Sequence, residues 1–83
     1  MAKLLIVDDE PNLIYSLELG LASEKLKVIS ANSGKRGIEM VERESPDVVI
    51  LDVRLPDMNG LDAVASVYQD GPVPRWYLHG LFP

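Results

Sequence analysis

Residues 47–60 read D-V-V-I-L-D-V-R-L-P-D-M-N-G, an apolar run that ends at Asp52 and continues into a loop with Pro56 and Gly60. The run over residues 47–51 is typical of a buried strand. A carboxylate at the end of such a strand costs desolvation free energy unless a cation or hydrogen-bond donors compensate it. Asp52 therefore either marks the end of a strand with a solvated head, or belongs to a site that uses its charge.

Short apolar runs and amphipathic stretches alternate along the rest of the chain. Strands are predicted at residues 3–7, 27–31 and 47–51, and helices from Pro11 to about 23–25, from an N-cap at Ser33 to about Glu44, and from 61 to 68. A β-α-β-α-β order predicts an α/β fold with a parallel sheet and right-handed crossovers. In such sheets, ligands bind beyond the carboxyl ends of the strands.

The composition limits the class of protein. The 83 residues suffice for one small domain, and a hydrophobic content of 47% is too high for a disordered chain. A net charge of −5 argues against direct nucleic-acid binding, and the absence of cysteine excludes disulfides and thiolate metal sites. No run approaches the roughly 20 apolar residues that span a bilayer. We expect a soluble, cytoplasmic protein that does not enter a membrane.

Acidic residues follow two of the predicted strands. Asp8 and Asp9 come after the first strand, and Asp52 comes after the third. If these strands are neighbours, the carboxylates repel unless a proton or cation intervenes. The alternative interpretation is that Asp8 or Asp9 caps a helix, as aspartates often do. All-oxygen ligands favour Mg²⁺, Mn²⁺ or Ca²⁺, and the lack of a nearby histidine argues against Zn²⁺. Such a site serves either a nucleophilic carboxylate or a metal-activated water, and the spacing leaves both open.

Two segments resemble the receiver domain of two-component response regulators: L-L-I-V-D-D-E-P at residues 4–11 and V-I-L-D-V-R-L-P-D-M-N-G at residues 49–60. The first resembles strand 1 and the acidic pair of that family. The second resembles strand 3, the phosphoacceptor aspartate and the loop that follows it. The resemblance covers about residues 3–68 and implies a flavodoxin-like (CheY-like) parallel sheet. The sheet is expected to be incomplete, with the order β-α-β-α-β-α followed by an irregular tail.

The resemblance also implies roles for the matching residues. Asp52 would take a phosphoryl group from a sensor histidine kinase. Asp9 would bind Mg²⁺ (or Mn²⁺) directly, Asp8 would hold the ion through water, and Arg54 would offer its backbone carbonyl. By this resemblance the chain is a phosphorylated switch and not an enzyme.

Pro56 and Gly60 would shape the loop after Asp52. Proline does so by fixing φ, and glycine by permitting backbone conformations that are closed to other residues. Leu55 and Met58, in the same loop, are predicted to pack and not to bind a ligand.

The C-terminal part of the chain departs from the family. Receivers use a serine or threonine at the end of strand 4 and a lysine at the end of strand 5, whereas every lysine here precedes Asp52. One interpretation makes residues 75–78 the fourth strand, with His79 in the place of the hydroxyl residue. The preferred interpretation divides the chain into a partial receiver domain at 1–68 and an atypical tail of non-native origin at 69–83, because Arg-Trp-Tyr is a poor start for a buried strand.

Three functional hypotheses follow from the sequence. The first is a phosphoacceptor receiver module whose competence is impaired in this chain by truncation. The alternatives are a non-catalytic dimerisation domain and a Mg²⁺-dependent phosphatase that forms an aspartyl phosphate. We also expect a homodimer or larger homo-oligomer, because three strands without a disulfide make a weak monomer.

Overall fold

Strands and helices alternate along the chain in the computed structural model, which describes residues 1–67 and 74–80. The elements are β1 Ala2–Val7, α1 Pro11–Leu21, β2 Leu26–Ala31, α2 Gly34–Glu44, β3 Val48–Asp52, α3 Gly60–Val67 and β4 Arg75–His79. The strands form one parallel sheet in the order β2-β1-β3-β4. The flavodoxin-like fold predicted from the sequence is confirmed. Across the described ranges, no helix has the length and apolar character needed to cross a membrane.

The core lies on the central strands β1 and β3. Leu5, Val7, Val49 and Leu51 are at most 2% exposed, and they form one hydrophobic cluster with Val41 of α2 and Val67 of α3. Full burial of one such side chain contributes roughly 1.5–3 kcal/mol. The continuous apolar runs of the sequence are therefore explained by strands at the centre of the sheet.

The opposite face of the sheet is less completely covered. Ile6 points to this face, because side chains alternate along a strand. Helix α1 is formed as predicted, but it contains no fully buried residue, and Leu13 and Leu21 are 36% and 39% exposed. The apolar stripe of α1 is thus only partly buried by the described residues.

The predicted helix starts are confirmed. Pro11 is the first residue of α1, where its missing N–H costs nothing. The Ser33 hydroxyl accepts a hydrogen bond of 3.1 Å from the Arg36 amide and so caps α2. Such a cap contributes about 1 kcal/mol.

The tail contains a strand that the preferred interpretation of the sequence did not include. Strand β4 pairs in parallel with β3, and His79 lies beside Asp52. The expected end of the regular fold near residue 68 is therefore corrected: the interpretation with a fourth strand describes this segment. Residues 68–73 and 81–83 lie outside the described part of the chain, and a non-native origin of the tail stays a prediction.

The exposure pattern of β4 explains why its sequence was misleading. Arg75 and Tyr77 are exposed, whereas Trp76 and Leu78 are half-buried against the core cluster. A strand with only one packed face tolerates charged and polar residues at alternate positions. A continuous apolar run is consequently not required here.

Candidate functional site

The carboxyl ends of β1, β3 and β4 meet at one edge of the sheet. Asp8 directly follows β1, Asp52 is the last residue of β3, and His79 is the last residue of β4. One ligand atom from each of these side chains can be chosen so that all lie within 4.8 Å of one another. The edge predicted from the sequence therefore brings Asp8 and Asp52 together, and it adds a histidine.

Asp8 is the buried carboxylate of this group, with only 1% of its surface exposed. Its Oδ1 accepts a hydrogen bond of 2.9 Å from the Glu10 amide. Its Oδ2 is buried and has no hydrogen-bond partner among the described residues. A buried carboxylate oxygen without a donor is costly, so this oxygen needs a cation or another charged partner. Asp8 is not the N-cap of α1, because Glu10 occupies that position.

Asp52 is half-buried and is held by the backbone that follows it. Its Oδ1 accepts a hydrogen bond of 2.8 Å from the Arg54 amide. Gly80, which has a φ of +86°, lies so close that a Cβ there would be 2.8 Å from the same oxygen. The carboxylate is therefore oriented at the end of the strand and does not extend freely into solvent.

His79 reaches the site because β4 pairs with β3. Its carbonyl accepts a hydrogen bond of 3.0 Å from the Val53 amide, which fixes the end of the strand. Its Nε2 lies 2.8 Å from Oδ2 of Asp8. The statement that no histidine is near the acids was wrong, because the residue that ends β4 is brought to the same edge as the residues that end β1 and β3. The interpretation of residues 75–78 as the fourth strand placed His79 at this position, but it was not the preferred interpretation of the sequence.

Asp9 and Arg54, the other predicted metal ligands, lie at the border of the group. Asp9 is exposed and is not among the residues whose ligand atoms cluster within 4.8 Å. The Nε atom of Arg54 donates a hydrogen bond of 2.7 Å to the Gly80 carbonyl, which ties the loop after β3 to the end of β4. Metal binding by Asp9 and by the Arg54 carbonyl stays a prediction.

Gly60 is required in the loop for its small size. A Cβ at this position would lie 2.7 Å from the Asp52 carbonyl oxygen and 2.7 Å from Cα of Val53. Its φ is not positive, and among the described glycines only Gly80 has a positive φ. The conformational role expected for Gly60 is therefore corrected: helix α3 begins where it approaches the backbone of β3 too closely for a side chain.

The remaining loop residues have structural roles. Pro56 is exposed in the turn, and Leu55 is buried in the core, as its predicted packing role requires. Asp57, which the sequence did not single out, accepts hydrogen bonds of 2.9 Å and 2.8 Å from the Lys35 and Gly34 amides at the start of α2. These two amides lower the pKa of the Asp57 carboxyl below its ordinary value. The loop is thus tied to the neighbouring helix by a charged cap.

The donor set fits a divalent cation. Asp8 contributes a buried oxygen without a hydrogen bond, Asp52 contributes a second carboxylate, and His79 contributes a buried nitrogen without a hydrogen bond. Two carboxylates with oxygens within 4.8 Å of each other repel unless positive charge lies between them. The chemistry available to such an arrangement is metal-assisted attack by a carboxylate or by water.

Comparison with known proteins identifies the family. The family model of the response regulator receiver domain matches residues 4–78. Transcriptional regulatory protein GlrR of Escherichia coli (strain K12) is 41% identical over 85 residues, which cover 99% of this chain and 19% of GlrR. The chain therefore spans about a fifth of the length of that relative.

Solved structures agree with this result. The N-terminal domain of an uncharacterized protein from Wolinella succinogenes matches with a TM-score of 0.90 and 28% identity, covering 100% of this chain and 67% of that one. A chain in the crystal structure of histidine kinase ThkA in complex with response regulator protein TrrA matches with a TM-score of 0.83 and 28% identity, covering 94% of this chain and 67% of that one. The chain belongs to the response regulator receiver domain family.

Proposed function

We propose that Asp52 accepts a phosphoryl group from a sensor histidine kinase, and that the chain acts as a switch and not as an enzyme with turnover. The observation that carries this proposal is the placement of Asp52 at the end of β3, beside a buried Asp8 oxygen that has no hydrogen bond among the described residues. That arrangement combines an accessible carboxylate with the charge needed to attract a cation. The matched structure of a histidine kinase with a response regulator supports the choice of donor.

The transfer would be a substitution at phosphorus. An oxygen of Asp52 would form the bond to phosphorus, while the bond from phosphorus to a nitrogen of the kinase histidine breaks and the imidazole leaves. The Arg54 amide orients Asp52 for this attack by holding Oδ1 at 2.8 Å. When bound, Mg²⁺ or Mn²⁺ would neutralise charge on the transferred oxygens. Asp8, Asp9, Asp52 and the carbonyl of Arg54 are the groups proposed to hold that ion.

We expect the transfer to be impaired in this chain. The lysine that receivers use to contact the phosphoryl group has no equivalent after Asp52 in the sequence. The Lys3 amine donates to the Glu44 carbonyl at 3.0 Å and pairs with its carboxylate at 3.2 Å. No lysine amine forms an ion pair with Asp52 within the described ranges. A phosphoryl group on Asp52 would therefore lack one source of charge stabilisation.

The test is phosphorylation of the purified chain by acetyl phosphate in the presence of Mg²⁺, followed by intact-protein mass spectrometry. We expect a mass gain of one phosphoryl group in only part of the protein, because the transfer is impaired, and we expect no such gain in Asp52→Asn. Asp62→Asn is the matched control, because Asp62 is an exposed aspartate on α3 outside the cluster, and it should keep the gain. Equal labelling of Asp52→Asn and the wild-type chain would refute the proposal, and steady turnover of a phosphate ester would favour a phosphatase instead.

We further propose that the chain forms a homodimer. Within the described residues, β4 pairs with β3 on one side and with no strand on the other. A free edge and a partly covered α1 favour association, because both leave groups that a second copy can satisfy.

A further inference from the structure

We infer that Asp8, Asp52 and His79 form a mixed oxygen and nitrogen site that binds a divalent first-row transition-metal ion, such as Zn²⁺ or Co²⁺, in preference to Mg²⁺. The inference rests on the proposed function in one respect only, since it uses the same two carboxylates. It adds His79 as a ligand and so changes the class of ion that the site selects.

The geometry between Asp8 and His79 carries this inference. Oδ2 of Asp8 and Nε2 of His79 are 2.8 Å apart, yet both atoms are buried and neither has a hydrogen-bond partner among the described residues. The short distance therefore occurs without the alignment of N–H and oxygen that a hydrogen bond requires. Two ligands bound to one ion at about 2.0–2.2 Å lie about 2.8–3.1 Å apart at right angles and about 3.3–3.6 Å apart at the tetrahedral angle that Zn²⁺ prefers. The observed 2.8 Å equals the right-angled spacing of a six-coordinate ion, and tetrahedral binding requires the two atoms to separate by about 0.5 Å.

The backbone places these ligands before any ion binds. The Glu10 amide holds Asp8 through Oδ1, which leaves Oδ2 to face His79. The Val53 amide holds the carbonyl of His79, and the parallel register sets His79 beside Asp52. Ligands on the ends of paired strands need little reorganisation, and this favours binding.

The ligand types decide the selectivity. Mg²⁺ prefers oxygen ligands and gives up its water reluctantly. An imidazole nitrogen favours Zn²⁺, Ni²⁺ and Co²⁺, and these ions bind nitrogen and oxygen sites more tightly than the earlier ions of the series. Replacing a hydroxyl residue by histidine at the end of strand 4 therefore shifts the preference of the site toward the later transition metals.

A different account of the same contact makes His79 a cation that occupies the site. In that account, a protonated imidazole pairs with Asp8 and competes with every metal ion. The two accounts predict opposite effects of removing His79. Loss of a ligand weakens the binding of a transition metal, whereas loss of a competing cation strengthens it.

The experiment is a titration of the purified 83-residue chain, without a histidine tag, with Zn²⁺, Co²⁺ and Mg²⁺ separately by isothermal titration calorimetry. We expect Zn²⁺ and Co²⁺ to bind at least tenfold more weakly to His79→Ser than to the wild-type chain, while Mg²⁺ binding changes by less than about threefold. The sequence has a single histidine and no cysteine, so a Zn²⁺-induced shift of the one set of imidazole NMR signals reports His79 directly. His79→Gln is the second variant, and circular dichroism verifies that both variants fold.

Three results would overturn the inference: equal Zn²⁺ affinity in the wild-type and His79→Ser chains, tighter binding in His79→Ser, or no shift of the imidazole signals at saturating Zn²⁺. The outcome is separable from that of the proposed function. Labelling of Asp52 by acetyl phosphate is measured with Mg²⁺, so its failure leaves the Zn²⁺ titration interpretable. Conversely, equal Zn²⁺ binding leaves the labelling result unaffected.

Discussion

Substitution of Gly60 by alanine tests whether the close approach of α3 to β3 supports the site. The new Cβ would lie 2.7 Å from the Asp52 carbonyl oxygen and from Cα of Val53. Both are backbone atoms of the strand end, so the contact is relieved only if α3 moves away. Overpacking of this kind costs about 1–3 kcal/mol. The movement also strains the 2.9 Å hydrogen bond from the Gly60 amide to the Val53 carbonyl, a bond of a type that contributes about 0.5–1.5 kcal/mol.

The substitution also has a stabilising effect of about 0.5–1 kcal/mol, because alanine loses less conformational entropy than glycine when a helix forms. The expected net loss for Gly60→Ala is therefore about 0.5–4 kcal/mol. Gly20→Ala is the matched control, because a Cβ at Gly20 of α1 meets nothing within 4 Å. The same substitution there should raise stability by up to about 1 kcal/mol.

The assay is equilibrium unfolding in urea, followed by circular dichroism and by the fluorescence of the single tryptophan, Trp76. The signs should be opposite: Gly60→Ala lowers the unfolding midpoint and Gly20→Ala raises it. A Gly60→Ala chain as stable as the wild type would refute the reasoning, because it would mean that the backbone at Asp52 and Val53 moves away from the new Cβ without loss of stability. Such a result would also weaken the view that this contact helps to position Asp52.

The other predictions concern the core, the α2 cap and assembly. Leu5→Ala, at a fully buried position, should lower the free energy of unfolding by about 2–5 kcal/mol. Leu19→Ala, at a position that is 68% exposed, should change it by less than about 0.5 kcal/mol. Thermal unfolding compares the two variants, and equal melting temperatures would contradict the assigned core. Because the folded-state pKa of Asp57 is lowered from 3.8, Asp57→Ala should lower the free energy of unfolding at neutral pH, and this loss should shrink as the pH falls below 3.8. Urea unfolding at neutral pH and at a pH below 3.8 measures the loss, and an equal loss at the two pH values would exclude the charged cap. Sedimentation equilibrium should show a homodimer at micromolar concentration, and a compact, cooperatively folding monomer would rule this out.

Most of the fold could be predicted from the sequence because it depends on local patterns. Pro11 at a helix start, Ser33 as a cap and the apolar runs before Asp8 and Asp52 are signals that neighbouring residues carry by themselves. The alternation of strands and helices then restricts the chain to a parallel sheet. The common edge for the acids follows from this restriction once β1 and β3 are neighbours, and that adjacency is a property of the tertiary structure.

The fourth strand could not be predicted from local sequence patterns as the other elements were. Its sequence, R-W-Y-L-H, lacks the continuous apolar run of a central strand, because one of its faces is not packed. Whether such a segment becomes a strand depends on its pairing with β3, and that pairing joins residues far apart in the chain. Gly60 shows the same limit: its need for a small residue comes from the backbone of β3, which no local pattern reveals.

The sequence by itself determined the order of the elements, the identity of Asp52 as the acid at the end of a central strand, and the family resemblance of the two segments around it. The tertiary structure decided which acid is buried, placing Asp8 inside and Asp9 outside, and it brought His79 to within 2.8 Å of Asp8. The physical reason is that periodicity and capping are properties of a few consecutive residues. The burial of a particular carboxylate and the identity of its neighbour depend on how separate strands align at one edge of the sheet.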